Sequence, residues 1–382
     1  MKNYHDVIII GAGPIGSYTA YLLSKKGFNV GIFEKNLSIG KNINCTGIIS
    51  EKCYKKIGIK EDILVRSVYS IKAYSPSGNH ISYYSSEPIA YIIDRMKFDI
   101  YMNEMANGEG AKTYLNANVE KIRTDGSSFK IVANINNECR EFRSKIGVIA
   151  TGYCIDSVYR SLYKRRTHYF GIQAKGVIDN LDSIEVYFGN QIAPGSFGWL
   201  APYKGSEVMV GLIVKDDPIR YLKRFLKEPL ISHRIHVKEK SIKCSLLPIG
   251  MNVKTYGDRV LVVGEAAAQV KTTTGGGIYF GMLCSEIAVN TIIKAFERTD
   301  FSENLLKEYQ VMWLKKIGPE LKAGKVIRSI FSRLSDKQID ILMDIAKRDG
   351  FLPMIRNMDF DWHRDAIFYI IKNIISKGLS NF

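Results

Sequence analysis

DVIIIGAGPIGSYTAYLLSKKGFNVGIFE, residues 6–34, decides how this chain is read. Val7–Ile10 is a short unbroken apolar run, the kind that forms a parallel strand covered on both faces. Pro14 to Lys26 carries a helical pattern, and Asn29–Phe33 returns as a second strand, completing a βαβ unit. Gly11, Gly13 and Gly16 stand between strand and helix in the spacing G-x-G-x-x-G. Gly11 makes the tight turn, Gly13 lets the backbone approach a pyrophosphate, and Gly16 lets the helix pack on the strand. Glu34 closes the second strand with Lys35 beside it, placed to accept both ribose hydroxyl protons. An acid at that point repels a 2′-phosphate, so the expected nucleotide is FAD or NAD rather than NADP.

A second glycine cluster repeats the design. Val263-Gly264-Glu265 is followed by Thr274-Gly275-Gly276-Gly277-Ile278, again leading from a strand through a loop into a helix. Such a loop presents amide groups and a helix N-terminus to a negatively polarised group, here the pyrimidine edge of a flavin. Glu265 is placed to meet a ribityl hydroxyl. NAD needs only the first turn, so two turns in one chain point to FAD.

Working outward, Asp94-Arg95 opens a helix from Met96 to Gly108, and Val119–Ile122 and Phe129–Ile135 read as a meander. Ile146–Ala150 ends in Thr151-Gly152, as a strand does on returning to a central sheet. From Tyr169 to Leu247 the pattern shifts to short β-type segments such as Ile184–Phe188 and Val208–Val214. Val260–Val263 and a helix from Gly277 return to the first domain. The expected architecture is α/β in the α+β sense. A discontinuous Rossmann-like FAD-binding domain (1–165 and 245–300) carries an antiparallel β substrate domain (166–244) and a C-terminal helical region (301–382). In the last region Ile367, Ile370, Ile371, Ile374 and Ile375 make one apolar helix face, with Lys372 and Lys377 elsewhere, suited to docking on the core or to a membrane surface.

The 382 residues bury a large core without staples. The formal charge of +16 favours an anionic partner or simply marks a lysine-rich surface, and no nucleic-acid motif accompanies it. Six scattered cysteines (Cys45, Cys53, Cys139, Cys154, Cys244, Cys284) lack C-x-x-C spacing, so neither a zinc site nor a cysteine-ligated iron–sulfur cluster is expected. The N-terminal apolar run is too short for a signal peptide, and no run is read as spanning a bilayer. The expected location is the cytoplasm, with peripheral contact at the inner face of an anionic membrane.

Gly11–Gly16 with Glu34, Cys45-Thr46-Gly47, Ile93-Asp94-Arg95 with Phe98-Asp99, Ala193 through Pro202, and Gly264 through Ile278 together resemble the geranylgeranyl reductase family of flavoproteins. That family lies within the p-hydroxybenzoate-hydroxylase-like group, and the resemblance runs from residue 7 to about 290. It implies FAD contacts at Ile15, Glu34, Cys45, Thr46, Ile48, Arg95, Val119, Glu265, Gly277 and Ile278. Arg95 would serve a phosphate. Cys45, on a loop near the isoalloxazine, would gate substrate or assist proton delivery. Phe197, Trp199 and Pro202 would line a lipid cavity, where flat rings suit methyl-branched alkenes.

The implied activity is hydrogenation of geranylgeranyl carbon–carbon double bonds, in lipids or diphosphates, by hydride from reduced flavin. The implied partners are an isoprenoid lipid and an electron donor: NAD(P)H, ferredoxin or another reduced carrier. Three positions depart from the family pattern. Glu265 replaces an aspartate, Cys45-Thr46-Gly47-Ile48 replaces a glycine-richer loop, and Ala201 stands where an aromatic is common. The last two alter the space beside the flavin and the cavity wall. Two alternatives stay open. One is an FAD-dependent monooxygenase or halogenase of the same superfamily, to whose signature Arg160 is weakly similar, although Thr151-Gly152 stands where hydroxylases have Asp-Gly. The other is a prenyl-lipid or quinone electron-transfer flavoprotein.

Overall fold

The computed structural model describes residues 3–41, 43–153, 168–250, 253–348 and 359–369. Tyr4–Ile10 lies at the centre of an eight-stranded sheet, parallel to Val30–Phe33 on one side and to Glu138–Ile149 on the other. Lys112–Tyr114 and Val260–Val262 extend the parallel set outward. Val7, Ile8 and Ile9 have no exposed surface, which is why this segment is apolar without alternation. Glu138–Ile149 does two jobs. Its first half pairs antiparallel with Phe129–Ile135, which pairs with Ala117–Thr124, and its second half enters the parallel core. Its burial runs exposed from Glu138 to Glu141, alternates at Phe142 and Ser144, and becomes continuous from Ile146, where both faces are covered.

The second sheet runs Ile235–Val237, Tyr169–Ile178, Glu207–Val214, Gly198–Pro202, Ile184–Tyr187, Ser70–Tyr74, His80–Tyr84. Lys243–Leu247 also pairs with Tyr169–Ile178. This sheet thus takes in two strands from sequence well before 166 and one that runs past 244. All its pairings are antiparallel except that of Ile184–Tyr187 with Ser70–Tyr74. Its two faces differ. Ile172, Ala174, Leu200, Val208, Val210 and Leu212 pack beneath Leu222 and Phe225 of the helix Pro218–Phe225. The alternate residues Tyr169, Gln173, Trp199 and Ile213 face the nucleotide-binding side, where Val270 meets them. A three-stranded sheet of Ile48–Ile49, Ala90–Ile93 and Leu64–Val68 lies between.

The helices Pro14–Ser24, Arg95–Gly108 and Ile278–Glu297 pack together beside the parallel sheet. Ile278–Glu297 is long and apolar enough to cross a membrane, which corrects the expectation that no stretch approaches that length. Its Phe280, Cys284, Ala288, Ile292 and Ala295 are buried in the main core, so its apolarity serves packing. The long helix Glu303–Phe331 covers it and grips the second glycine loop. The buried Tyr309 hydroxyl donates to the Val262 carbonyl (2.9 Å) and accepts from Gln269 Nε2 (2.7 Å), and Gln269 Oε1 accepts from the Gly264 amide (2.8 Å).

Residues 359–369 dock on this helix. Glu320 accepts the amides of His363 (2.7 Å) and Arg364 (2.9 Å). Ile367, first of the expected apolar face, is buried with Ala323 and Ile327. Ile370, Ile371, Ile374, Ile375, Lys372 and Lys377 lie outside the described residues, as do Cys154 and Arg160. His363 Nε2 donates to the Phe360 carbonyl (2.9 Å), which leaves Nδ1 to accept from the Thr273 hydroxyl (2.7 Å).

Burial, aided by the nearby Lys271 charge, pushes His363 down from 6.5 to about 4. Between those values the unfolded chain holds a proton on this residue that the folded chain lacks. Its contribution to stability is therefore complete above about pH 6.5 and declines as pH falls toward 4. Thermal unfolding followed across that range should show a shallower pH slope for His363→Asn than for the wild type. Equal slopes would exclude the assignment.

Candidate cofactor and substrate site

The three glycines of the first turn differ in what surrounds them. Gly11 adopts φ +103°, and a Cβ there would lie 2.5 Å from the Ala150 carbonyl oxygen. A Cβ on Gly16 would lie 2.0 Å from the Gly11 oxygen, so only glycine lets the helix sit this close to the strand. A Cβ on Gly13 would meet nothing within 4 Å. Gly13 thus opens onto free space at the N-terminus of Pro14–Ser24, where a diphosphate has amide groups to meet. Glu34 sits at this mouth. Its Oε2 accepts from the Ala12 amide (3.0 Å) and its Oε1 from the Asn36 amide (2.9 Å).

The second turn is locked to the first by one side chain. A Cβ on Gly264 or Gly281 would meet Ile15 at 3.1 and 2.6 Å, so Ile15 fills the notch these glycines leave. Glu265 lies between Gly152 and Gly277, with its Oε2 3.9 Å from the Cβ position of the former and its Oε1 3.7 Å from that of the latter. Burial pushes its carboxyl above the ordinary range, while Arg95 and the Tyr153 amide hold against this. Gly277 caps the helix that Ile278 begins, and Gly276 packs beside the Lys271 stem.

Arg95 is the cation of the site. Its guanidinium, with only 12% of the side chain exposed, bonds Asp99 (3.0 Å) and reaches the Cys45 sulfur. Burial works against its charge, but Asp99 and Cys45 outweigh that, and the group is held protonated. Asp94 caps the same helix by accepting the Met96 and Lys97 amides, which aims Arg95 inward.

The segment Asn44–Gly47 joins the two halves of the site. Asn44 Nδ2 donates to the Gly171 carbonyl (3.0 Å) and Ser245 Oγ (2.9 Å), and Thr46 Oγ1 donates to Gln173 Oε1 (2.9 Å). Cys45 is held on the other side by Arg95 and by the Gly47 amide, 3.4 Å from its sulfur. Beyond this segment lies an apolar wall of Tyr169, Phe197, Trp199, Ile213, Leu247 and Ile249 around Val270 of the second glycine loop. Asn44 Oδ1 and Trp199 Nε1 are buried here without a hydrogen-bond partner among the described residues, which suits a wall that receives a ligand.

The structure thus brings the two glycine turns (Gly11, Gly13, Ile15, Gly16; Gly264, Glu265, Gly276, Gly277, Ile278) together at one edge of the parallel sheet, with Glu34 on the first turn and Arg95 joining Cys45 to Glu265. Thr46 lies next to Cys45. Ile48 is set opposite Ile92 in the small sheet, and Val119 is half-buried near Ile10 and Ala266. Lys35 points to solvent. Pro202 is separated from Phe197 and Trp199, because strand alternation puts it on the face beneath Pro218–Phe225. Gln173, Gln269, Asn44 and Lys271 belong to the site without having been singled out. Only the position of Asn44 beside Cys45 and of Gln269 and Lys271 between two glycine clusters was a signal.

These residues fit a dinucleotide carrying a second ring system, as FAD does. Comparison with known proteins agrees. Residues 6–85 match the family model described as FAD dependent oxidoreductase. The fold is shared with a geranylgeranyl bacteriochlorophyll reductase-like protein of Thermoplasma acidophilum (TM-score 0.86, 21% identity, 98% of this chain and 99% of that one). It is also shared with a flavin-dependent brominase (TM-score 0.73, 17% identity, 99% and 100%). Fold and site define an FAD-dependent oxidoreductase.

Among curated proteins, the digeranylgeranylglycerophospholipid reductase of Methanocaldococcus jannaschii is 31% identical over 369 residues, covering 90% of this chain and 91% of that protein. The enzyme of the same name from Methanococcus vannielii is 28% identical over 359 residues, with 90% and 91% covered. The chain belongs to the digeranylgeranylglycerophospholipid reductase family.

Gly13 and Gly16 provide a paired check. Gly13→Ala, whose Cβ meets no neighbour but which gives up a preferred helix-capping residue, should cost the apoprotein no more than about 1 kcal/mol, yet weaken FAD binding about tenfold or more. Gly16→Ala should destabilise the apoprotein itself. Unfolding curves and flavin titrations of both variants read the two effects separately, and a Gly13→Ala protein with undiminished FAD affinity would count against the cradle.

Proposed function

We propose that this protein hydrogenates carbon–carbon double bonds of geranylgeranyl chains in lipids or diphosphates. The observation that carries this reading is the apolar, aromatic wall of Tyr169, Phe197, Trp199, Ile213 and Leu247 set directly against the second glycine loop at Val270. An isolated alkene offers no carbonyl to polarise, so its reduction depends on position and on exclusion of water. Reduced FAD supplies a hydride to one alkene carbon.

The chain's own residues do the rest. Glu34 and the amides at Gly11–Gly16 would hold the nucleotide, Arg95 would meet its phosphates, and Glu265 would meet the ribityl chain. The apolar wall orients the prenyl chain by its methyl branches. Cys45, held between Arg95 and Gly47 beside the isoalloxazine side of the site, would gate the substrate or assist delivery of a solvent proton to the second carbon. With the hydride that reduced FAD would supply, the alkene would gain two hydrogens. The electrons would come from a reduced carrier: NAD(P)H, ferredoxin or another donor. The +16 charge supports peripheral contact with the anionic membrane face where such lipids lie.

The test is anaerobic. Dithionite-reduced, FAD-loaded protein is mixed with geranylgeranyl diphosphate or a digeranylgeranyl glycerolipid, and flavin reoxidation is followed beside product mass. The expected result is reoxidation in step with a gain of two hydrogens per bond reduced. Reoxidation only in air, with oxygen or halogen entering a substrate, would transfer the assignment to the monooxygenase or halogenase alternative.

A further inference from the structure

The substrate-facing wall has an element that its strands do not supply. Phe360, on the short segment that leads into the docked residues 361–369, packs half-buried on the cluster formed by Val68, Ala90, Ile92, Ala201 and Met209. Trp199 and Ile48 pack on the same cluster. Ala201 follows Trp199 by two residues on the same strand face and carries only a methyl group. Phe360 thus adds a third ring, beside Trp199 and Tyr203, to this part of the wall, from a segment about 160 residues later in the chain.

Phe360 is tied to the cofactor side as well. Lys271 belongs to the second glycine loop, where its amide donates to the Gly276 carbonyl (2.9 Å) and its own carbonyl accepts from the Gly275 amide (2.8 Å). Its Nζ donates to the Phe360 carbonyl (3.2 Å) and to Asp361 Oδ1 (3.0 Å), and lies 4.7 Å above the centre of the Phe360 ring. The Lys271 and Asp361 side chains are 7% and 2% exposed. A buried ion pair adds little net stability because desolvating both charges opposes their attraction, and its best-attested use is to fix a register. Here the register is that of Phe360 against the glycine loop. Trp362 on Phe280 and Glu320 on the amides of His363 and Arg364 hold the segment from behind.

We infer that Phe360 is an aromatic of the substrate cavity wall that sets which prenyl chains fit, and that Lys271 and Asp361 position it. This rests on the prenyl-reductase reading. The ring meets Lys271 of the loop expected to hold the flavin on one side and the cluster that Trp199 joins on the other. Removing the ring opens space beside Trp199 without touching Glu34, Arg95 or the first glycine turn.

The experiment uses the FAD-loaded full chain as wild type, Phe360→Ala, Phe360→Leu and the double variant Phe360→Ala/Ala201→Phe. FAD affinity and melting temperature are measured for each. Binding of fifteen-, twenty- and twenty-five-carbon prenyl diphosphates to the oxidised protein is read from flavin absorbance and by calorimetry, and anaerobic reduction is read as kcat and KM. Phe360→Ala should keep wild-type FAD affinity, bind the twenty-carbon chain about tenfold more weakly, and shift its preference toward the longer chain. Phe360→Leu should lie between, and Ala201→Phe should restore the wild-type order. An unchanged binding order in Phe360→Ala overturns the inference, as does loss of FAD or of folding that Ala201→Phe does not rescue. A wild type that binds no prenyl chain removes the underlying reading too, whereas one that binds and reduces them with Phe360→Ala indistinguishable removes only the role of Phe360.

Discussion

The helix Pro14–Ser24 approaches the ends of the parallel strands so closely that no side chain fits between them. Its Gly16 faces the Gly11 carbonyl at a distance where a Cβ would stand 2.0 Å from oxygen, and its Ile15 occupies the notch formed by Gly264 and Gly281. One helix therefore positions both glycine turns. Because the strands Tyr4–Ile10, Glu138–Ile149 and Val260–Val262 run parallel, the turns open on the same edge of the sheet. A crevice at the carboxyl ends of parallel strands is where open α/β sheets bind their ligands.

The rest of the site is arranged by burial around that crevice. Arg95 places a permanent charge among Asp99, Glu265 and Cys45, three groups drawn from different parts of the sequence. The Asn44–Gly47 segment then ties this polar half to the second sheet through Gly171, Gln173 and Ser245. Polar groups thus concentrate where a nucleotide would lie, and apolar rings where a prenyl chain would lie. The division follows from chemistry: an alkene rewards shape and dryness, and a diphosphate rewards amides and a guanidinium.

Much of this was legible because some constraints are local. A strand buried on both faces needs an unbroken apolar run, and Val7–Ile10, Ile146–Ile149 and Val260–Val262 have one. The glycine spacing at Gly11–Gly16 states its own geometry. Other features depend on distant partners. Nothing within Ser70–Tyr74 or His80–Tyr84 says that these strands join a sheet otherwise built after residue 168. The tract Phe197–Pro202 reads as one unit, yet period-two alternation divides it, with Trp199 toward the site and Pro202 away. Ile278–Glu297 has the composition of a membrane span and is a core helix, because composition does not tell lipid from protein as the apolar partner. The pairing of Lys271 with Asp361 joins residues 90 apart without any motif.

The most direct measurement is a calorimetric titration of flavin-stripped protein with FAD, NAD and NADP, together with its Glu34→Gln variant. One FAD should bind per chain, NADP should not compete, and Glu34→Gln should weaken FAD by about tenfold, the loss of a charge-assisted hydrogen bond to a ribose hydroxyl. A chain that binds NAD or NADP in preference to FAD, or no dinucleotide at all, would contradict the account of the paired glycine turns.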